Sequence, residues 1–133
     1  MNFNLTDEQK IIQNTAREFA LSEILPGVVD RDEKKIWPKE IINKMGELGF
    51  MGMMVDNKWN GSGLDTMSYT IVMEEIARVD ASSAVVMSVN NSLVCYLLEK
   101  YGSDFLKDKY LKRLANGSKI GAFSLSEPQS GSD

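Results

Sequence analysis

A chain of 133 residues, 43% of them apolar, is long and apolar enough to bury one core of its own. Its net charge of −4, with no run of like charges, disfavours a nucleic-acid partner, which needs a basic face. With no histidine and one cysteine, the chain can supply no imidazole base, no His-containing metal site and no internal disulfide.

The opening stretch is acidic and lacks the arginines of a transit peptide. No apolar run is read as long enough to span a membrane. Cys95, in an apolar helix, suits a reducing compartment, and a bacterial cytoplasm is the expected location. Thr6, with Gln9 three residues later, forms a capping box. The helix it starts puts Ile12, Ala16, Phe19 and Ala20 on one stripe and should end near Leu25, before Pro26 and Gly27. A short charged piece, Val28 to Lys35, leads to Trp37 and Pro38, and Pro38 suits the first turn of a second helix. That helix carries Ile41, Met45 and Leu48 on one face and stops at Gly49. Phe50 to Val55 is apolar without helical polarity and reads as a short extended link.

After the loop Asn60 to Gly63, Asp65 is the cap of a helix whose buried stripe is Tyr69, Val72, Met73, Ile76 and Ala77. Asp80 or Ser82 caps the longest helix, running to about Tyr101 and closed by Gly102. Ser103 caps a last helix with Leu106, Tyr110, Leu111 and Leu114, ended by Asn116 and Gly117. The period then changes to two, as expected for a strand from Ile120 to Leu125, with Phe123 and Leu125 on one face and Ala122, Ser124 and Ser126 on the other. The expected class is mainly α: a bundle of antiparallel helices over residues 1–118, then, over 119–133, a first strand and binding loop, which the family resemblance given below implies to open a middle β domain. The sequence ends at Asp133 inside this loop, and the expectation is the front portion of a larger enzyme.

Few residues suggest chemistry on their own. Ser88, Asn91, Ser92 and Cys95 fall at i, i+3, i+4 and i+7 on an otherwise apolar helix. Buried polar groups need partners, so this stripe either bonds neighbouring helices or walls a ligand channel. Met51, Met53 and Met54 are read as core filler. Glu74 and Glu75 are adjacent on a helix and point apart, so one is a surface ion and the other a partner for an arginine or lysine such as Arg78. The lysines and Arg113 of the last helix complement its dipole as a solvated face. The small-residue loop Ser126-Glu127-Pro128-Gln129-Ser130-Gly131-Ser132-Asp133 lets backbone amides approach a phosphate or aromatic ring closely, although composition alone would favour a polar hairpin turn.

Three stretches carry a family resemblance. The segment from Phe123 through Leu125 to Asp133 is similar to the flavin-binding segment of the acyl-CoA dehydrogenases, an aromatic residue and short strand followed by T/S-E-P-x-A-G-S-D. Ser130 stands where the family has alanine, and Asn60 where its loop has another glycine. Met73-Glu74-Glu75-Ile76, followed by Met87 to Leu93, resembles the short-chain members, and Leu5 to Gln9 the family opening. Together these cover nearly the whole chain in family order.

The resemblance implies an FAD enzyme of fatty-acid β-oxidation that converts a short-chain acyl-CoA to the trans-2-enoyl-CoA. A carboxylate base takes the α-proton, a hydride leaves the β-carbon for the flavin, and electrons pass to an electron-transfer flavoprotein. The base lies in a later helical domain of the family; no residue here matches it, so the catalytic set is empty for this chain, which alone should be inactive. Carried over, the flavin contacts are Phe123, Ser124, Leu125, Ser126, Glu127, Pro128, Gln129, Ser130, Gly131 and Ser132. Ser126 would lie near the ring edge, and Ser132 would be shared with substrate. The helix Ala81 to Tyr101 would line the acyl pocket, with Met87, Asn91 and Leu98 as substrate contacts and Met87 and Leu98 limiting chain length. A homotetramer is implied for the whole enzyme. The alternative is a freestanding helical interaction module of the same descent without catalytic activity, and a third reading is a flavin-dependent oxidase of the same fold.

Overall fold

The structure is a computed structural model that describes residues 4–131. Thr6 starts the first helix as the sequence predicts: its hydroxyl accepts from the Gln9 amide at 3.1 Å, while the Gln9 side chain accepts from the Thr6 amide at 3.1 Å. Helix α1 (Asp7–Phe19) continues through a wider π turn, Ala20–Ile24. Ala16, Phe19, Ala20 and Ile24 turn inward. Helix α2 (Val28–Lys34) was expected only as a charged connection. It buries none of its residues, so no apolar stripe announced it. It begins after Gly27 and ends at Lys35, both with left-handed backbone.

Helix α3 (Lys39–Glu47) starts after Pro38 and ends at Gly49, whose φ is +77°. Ile41 and Met45 are buried as expected; Leu48 is exposed, and Ile42 takes an inward place. Phe50–Gly52 forms a tight helical turn rather than an extended link, and Phe50, Met51, Met53 and Val55 are buried. The core role read for the methionines holds for Met51 and Met53.

Helix α4 (Thr66–Ala77) is capped by Asp65, which accepts from the Ser68 amide at 2.7 Å. That bond holds the Asp65 carboxyl below its usual range. Val72 and Ile76 face the core; Ala77 is exposed, and Ile71 and Glu75 are buried instead. Helix α5 (Ala81–Tyr101) is capped by Asp80 and carries a π segment, Val89–Cys95. By length and mean hydropathy, 1.4 over its apolar window, α5 could cross a membrane, contrary to the sequence reading. Of that window 33% is buried inside the protein, Asn90, Asn91 and Cys95 included, while Val85, Leu93, Tyr96 and Leu97 are exposed. Helix α6 (104–115) follows the Ser103 cap, again with a π turn. Leu111 and Leu114 point inward, whereas Leu106 and Tyr110 are exposed.

Helix α1 lies along α4, and α4 packs on α5. Their inner faces form the larger core, around Phe19, Ile24, Met45, Met53, Ile76 and Met87, with Phe19 and Phe50 edge to face at 6.0 Å. A smaller cluster gathers Val55, Cys95, Leu111, Leu114 and Ala115 between α5, α6 and the turn. Full burial of one such side chain contributes about 1.5–3 kcal/mol. The strand expected at Ile120–Leu125 is not formed, and among the described residues only an isolated bridge, Glu127 to Ser130, is present. A strand requires a neighbour for its amides and carbonyls, and among the described residues none lies alongside these.

The glutamate pair resolves as predicted in outline. Glu74 is a surface ion 3.7 Å from Arg78, and Glu75 is only 3% exposed. Its main partner is Arg17 of α1, with two bonds of 3.1 and 2.7 Å, rather than Arg78 at 3.8 Å. The bidentate contact overcomes desolvation and holds the Glu75 carboxyl below its usual range. Its stabilising effect is therefore present above the unfolded carboxylate pKa and is lost as pH falls through the depressed folded value. Arg17→Leu leaves a buried carboxylate with a poor partner, so its Tm at pH 7 should fall by about 10 °C. The gap to wild type should narrow below about pH 4, and Arg17→Leu with Glu75→Leu should recover most of the loss. Thermal melts of the three proteins across pH check this; a gap constant from pH 7 to pH 3 would contradict it.

Candidate cofactor-binding segment and its anchor

The π segment of α5 turns two successive asparagines into the protein. Widening the helix to i→i+5 bonds alters which residues share a face, and such bulges recur at functional positions. Asn91 is 2% exposed. Its side-chain amide donates to the carbonyls of Phe50 at 2.8 Å and Met87 at 3.0 Å, and its oxygen accepts from the Met53 amide at 2.8 Å. These bonds satisfy backbone groups of the short buried turn Phe50–Met53. Of the two readings of the polar stripe, the structure shows the bonding one for Asn91. Ser92 donates back to the Ser88 carbonyl at 2.7 Å, within the helix. Cys95 is buried, and burial, with the Glu99 charge second, pushes its thiol up to about 12, away from nucleophilic chemistry.

Asn90, which the stripe did not include, is fully buried and ties three segments together. Its amide donates to the carbonyls of Met51 at 2.7 Å and Leu114 at 3.1 Å. Its oxygen accepts from the Gly121 amide at 2.8 Å. The signal available in the sequence was the pair Asn90-Asn91 in an apolar helix; a strict 3.6-residue ruler admits only one of the two.

Gly121 is where the candidate segment leaves the bundle. A Cβ there would lie 2.7 Å from Val94, so the backbone rests directly on α5. Just before it, the Lys119 amide donates to the Arg113 carbonyl at 2.9 Å, and Gly117 packs on Gly46. Beyond Gly121 every described residue is exposed: Phe123 by 42%, Leu125 by 73%, and Ser124, Ser126, Glu127, Pro128, Gln129, Ser130 and Gly131 as well. Glu127 and Ser130 close a small turn by exchanging backbone bonds of 2.9 and 3.2 Å. Nothing lies within 4 Å of where a Gly131 side chain would be. Ser132 falls outside the described residues. The segment thus gathers hydroxyls and backbone amides on an open surface, held at its root.

Of the α5 residues put forward for substrate contact, Met87 and Asn91 are enclosed by this chain's own core. Met87 has no exposed area and sits in the larger core. The carboxamide of Asn91 is committed to the bonds above, and Leu98 is half-buried against the smaller cluster. No group of three metal-ligating side chains occurs among the described residues.

Comparison with known proteins places this arrangement. The family described as "Acyl-CoA dehydrogenase, N-terminal domain" matches residues 6–118. The chain is 41% identical over 133 residues to the short-chain-specific acyl-CoA dehydrogenase of Clostridium acetobutylicum, covering 100% of this chain and 35% of that protein. It superposes on the butyryl-CoA dehydrogenase structure from Megasphaera elsdenii with a TM-score of 0.91 and 38% identity, covering 98% of this chain and 35% of that one. The glutaryl-CoA dehydrogenase of Mycobacterium smegmatis in complex with FADH2 gives 0.90 and 32%, covering 97% and 33%. The chain therefore spans about a third of the length of the relatives it matches.

Proposed function

This chain belongs to the acyl-CoA dehydrogenase family, and from that premise we propose that it is the N-terminal part of a flavin-dependent enzyme oxidising short-chain acyl-CoA to trans-2-enoyl-CoA. The observation that carries the proposal is the match along the whole chain to a short-chain-specific enzyme at 41% identity; among the superposed structures the butyryl-CoA enzyme gives 38% against 32% for the Mycobacterium smegmatis glutaryl-CoA enzyme. In this reading residues up to 118 are the helical domain, and 119–133 enter a β domain as its first strand and flavin loop. The open loop supports an FAD site: it offers the hydroxyls of Ser124 and Ser126, exposed backbone, and space around Gly131 for a ring or phosphate to come close.

When bound, FAD supplies the acceptor for the hydride that leaves the acyl β-carbon. The residues of this chain have the tasks of binding and orientation. Phe123 and Leu125 present apolar surface toward the ring, Ser126 a hydroxyl near its edge, and Ser132 a hydroxyl shared with the acyl-CoA. Of the helix α5 candidates, half-buried Leu98 keeps an open side from which to meet the acyl chain. No proton-transfer residue is assigned within this chain. An electron-transfer flavoprotein as oxidant of the reduced enzyme, a homotetramer and a bacterial cytoplasmic location complete the proposal; the buried, unpaired Cys95 suits that compartment.

The full-length enzyme should purify with a flavin absorbance band and reduce dye with butyryl-CoA, at a kcat/KM at least tenfold above those for octanoyl-CoA and glutaryl-CoA. The isolated 133-residue chain should do neither. A full-length protein that folds without flavin would favour the interaction-module reading; preference for glutaryl-CoA would overturn the short-chain assignment.

A further inference from the structure

The flavin contacts proposed above begin two residues beyond Gly121, the point where the segment leaves the bundle. We infer that Asn90 is a positioning residue for the flavin-binding segment, acting through the Gly121 amide; the inference rests on the flavin reading of residues 123–132. Three observations carry it. The Asn90 oxygen accepts from the Gly121 amide at 2.8 Å, at the root of the segment. The same carboxamide is held rigidly by the Met51 and Leu114 carbonyls, at 2.7 and 3.1 Å, one from the buried turn and one from α6. Both donors and the acceptor are thus used, in a side chain with no exposed area, so its orientation is set before the tail arrives. Finally, Gly121 lies against Val94, one turn along the same helix, so that a bond and a contact define the exit together. Phe123, the first proposed flavin contact, comes two residues later. The two asparagines thereby divide their work: Asn91 satisfies the buried turn, and Asn90 joins that turn and α6 to the tail.

The test uses the full-length protein and three variants. Asn90→Ala removes the anchor, Asn90→Asp keeps an acceptor for the Gly121 amide while losing the donors, and Glu75→Gln weakens the fold at the distant α1–α4 ion pair. Hydrogen exchange over residues 119–131 of the apoprotein reads the anchor without flavin; the FAD Kd and the visible flavin band read its consequence. Expected is at least tenfold faster exchange in this segment and at least tenfold weaker FAD binding, with a shifted band, in Asn90→Ala. Asn90→Asp should fall between Asn90→Ala and wild type, and Glu75→Gln should keep wild-type exchange and affinity despite a lowered Tm. Unchanged exchange in Asn90→Ala, or FAD weakened equally in Glu75→Gln, would overturn the inference. So would faster exchange with unchanged FAD affinity. A wild-type protein that binds no FAD at all would refute the flavin reading itself, a result separate from these.

Discussion

Gly117→Ala is expected to destabilise the protein by about 4 kcal/mol, enough to unfold most of a marginal domain at 37 °C. Two penalties combine. Gly117 has φ +75°, a conformation that side-chain-bearing residues adopt at a loss of about 1–3 kcal/mol. An added Cβ would also lie 2.6 Å from the Gly46 Cα and 3.3 Å from Met51. Gly46 has no side chain to rotate away, so the clash is between backbones, and α3 and the end of α6 must separate. Reciprocally, a Cβ on Gly46 would lie 2.6 Å from the Asn116 carbonyl oxygen. A glycine inside a helix is less favourable than alanine by about 1 kcal/mol, and here it permits that close approach. Gly27→Ala supplies the contrast. Its φ is also +75°, but its Cβ would meet only the end of the Arg31 side chain at 3.4 Å, so about 1 kcal/mol is expected. Urea unfolding of both variants measures the difference. Equal losses would mean that the α3–α6 approach contributes nothing beyond backbone strain.

Much of this fold is legible in the sequence because it is specified locally. Thr6, Asp65, Asp80 and Ser103 cap their helices through side chains two or three residues from the amides they serve. What escaped sequence reading depends on distant partners. Helix α2 lacks a buried stripe, so periodicity carries no trace of it. The buried Phe50–Gly52 turn has its carbonyls bonded by Asn90 and Asn91, about forty residues later. Glu75 was visible as an ion-pair member, but Arg17 lies 58 residues before it. The alternation from Ile120 to Leu125 was legible too, yet alternation states only which faces a strand would show. Its pairing is a property of a neighbour. Family resemblance supplied the flavin reading, and the anchor of that segment came from three hydrogen bonds that no motif contains.

Gly131→Val separates an ordinary turn from a ligand loop, because the folded chain gives it no reason to fail. No atom lies within 4 Å of a Cβ at Gly131, and its φ is outside the left-handed range, so valine is accommodated without strain. Apoprotein stability should therefore stay within about 0.5 kcal/mol of wild type, as for other exposed substitutions. The flavin meets a different surface. A β-branched side chain fills the approach that a bare backbone leaves open and stiffens the loop that must close on the ring and phosphates. Binding should weaken at least tenfold, about 1.4 kcal/mol or more, and the protein should purify folded but largely colourless. Ser132→Ala, which removes one hydroxyl, should lose only about 0.5–1.5 kcal/mol toward flavin and acyl-CoA alike. Visible absorbance against total protein, with a thermal melt of the same sample, reads both effects at once. Loss of colour with an unchanged melt is the result expected of a loop whose open side is occupied by the cofactor; full colour in Gly131→Val would place the flavin elsewhere.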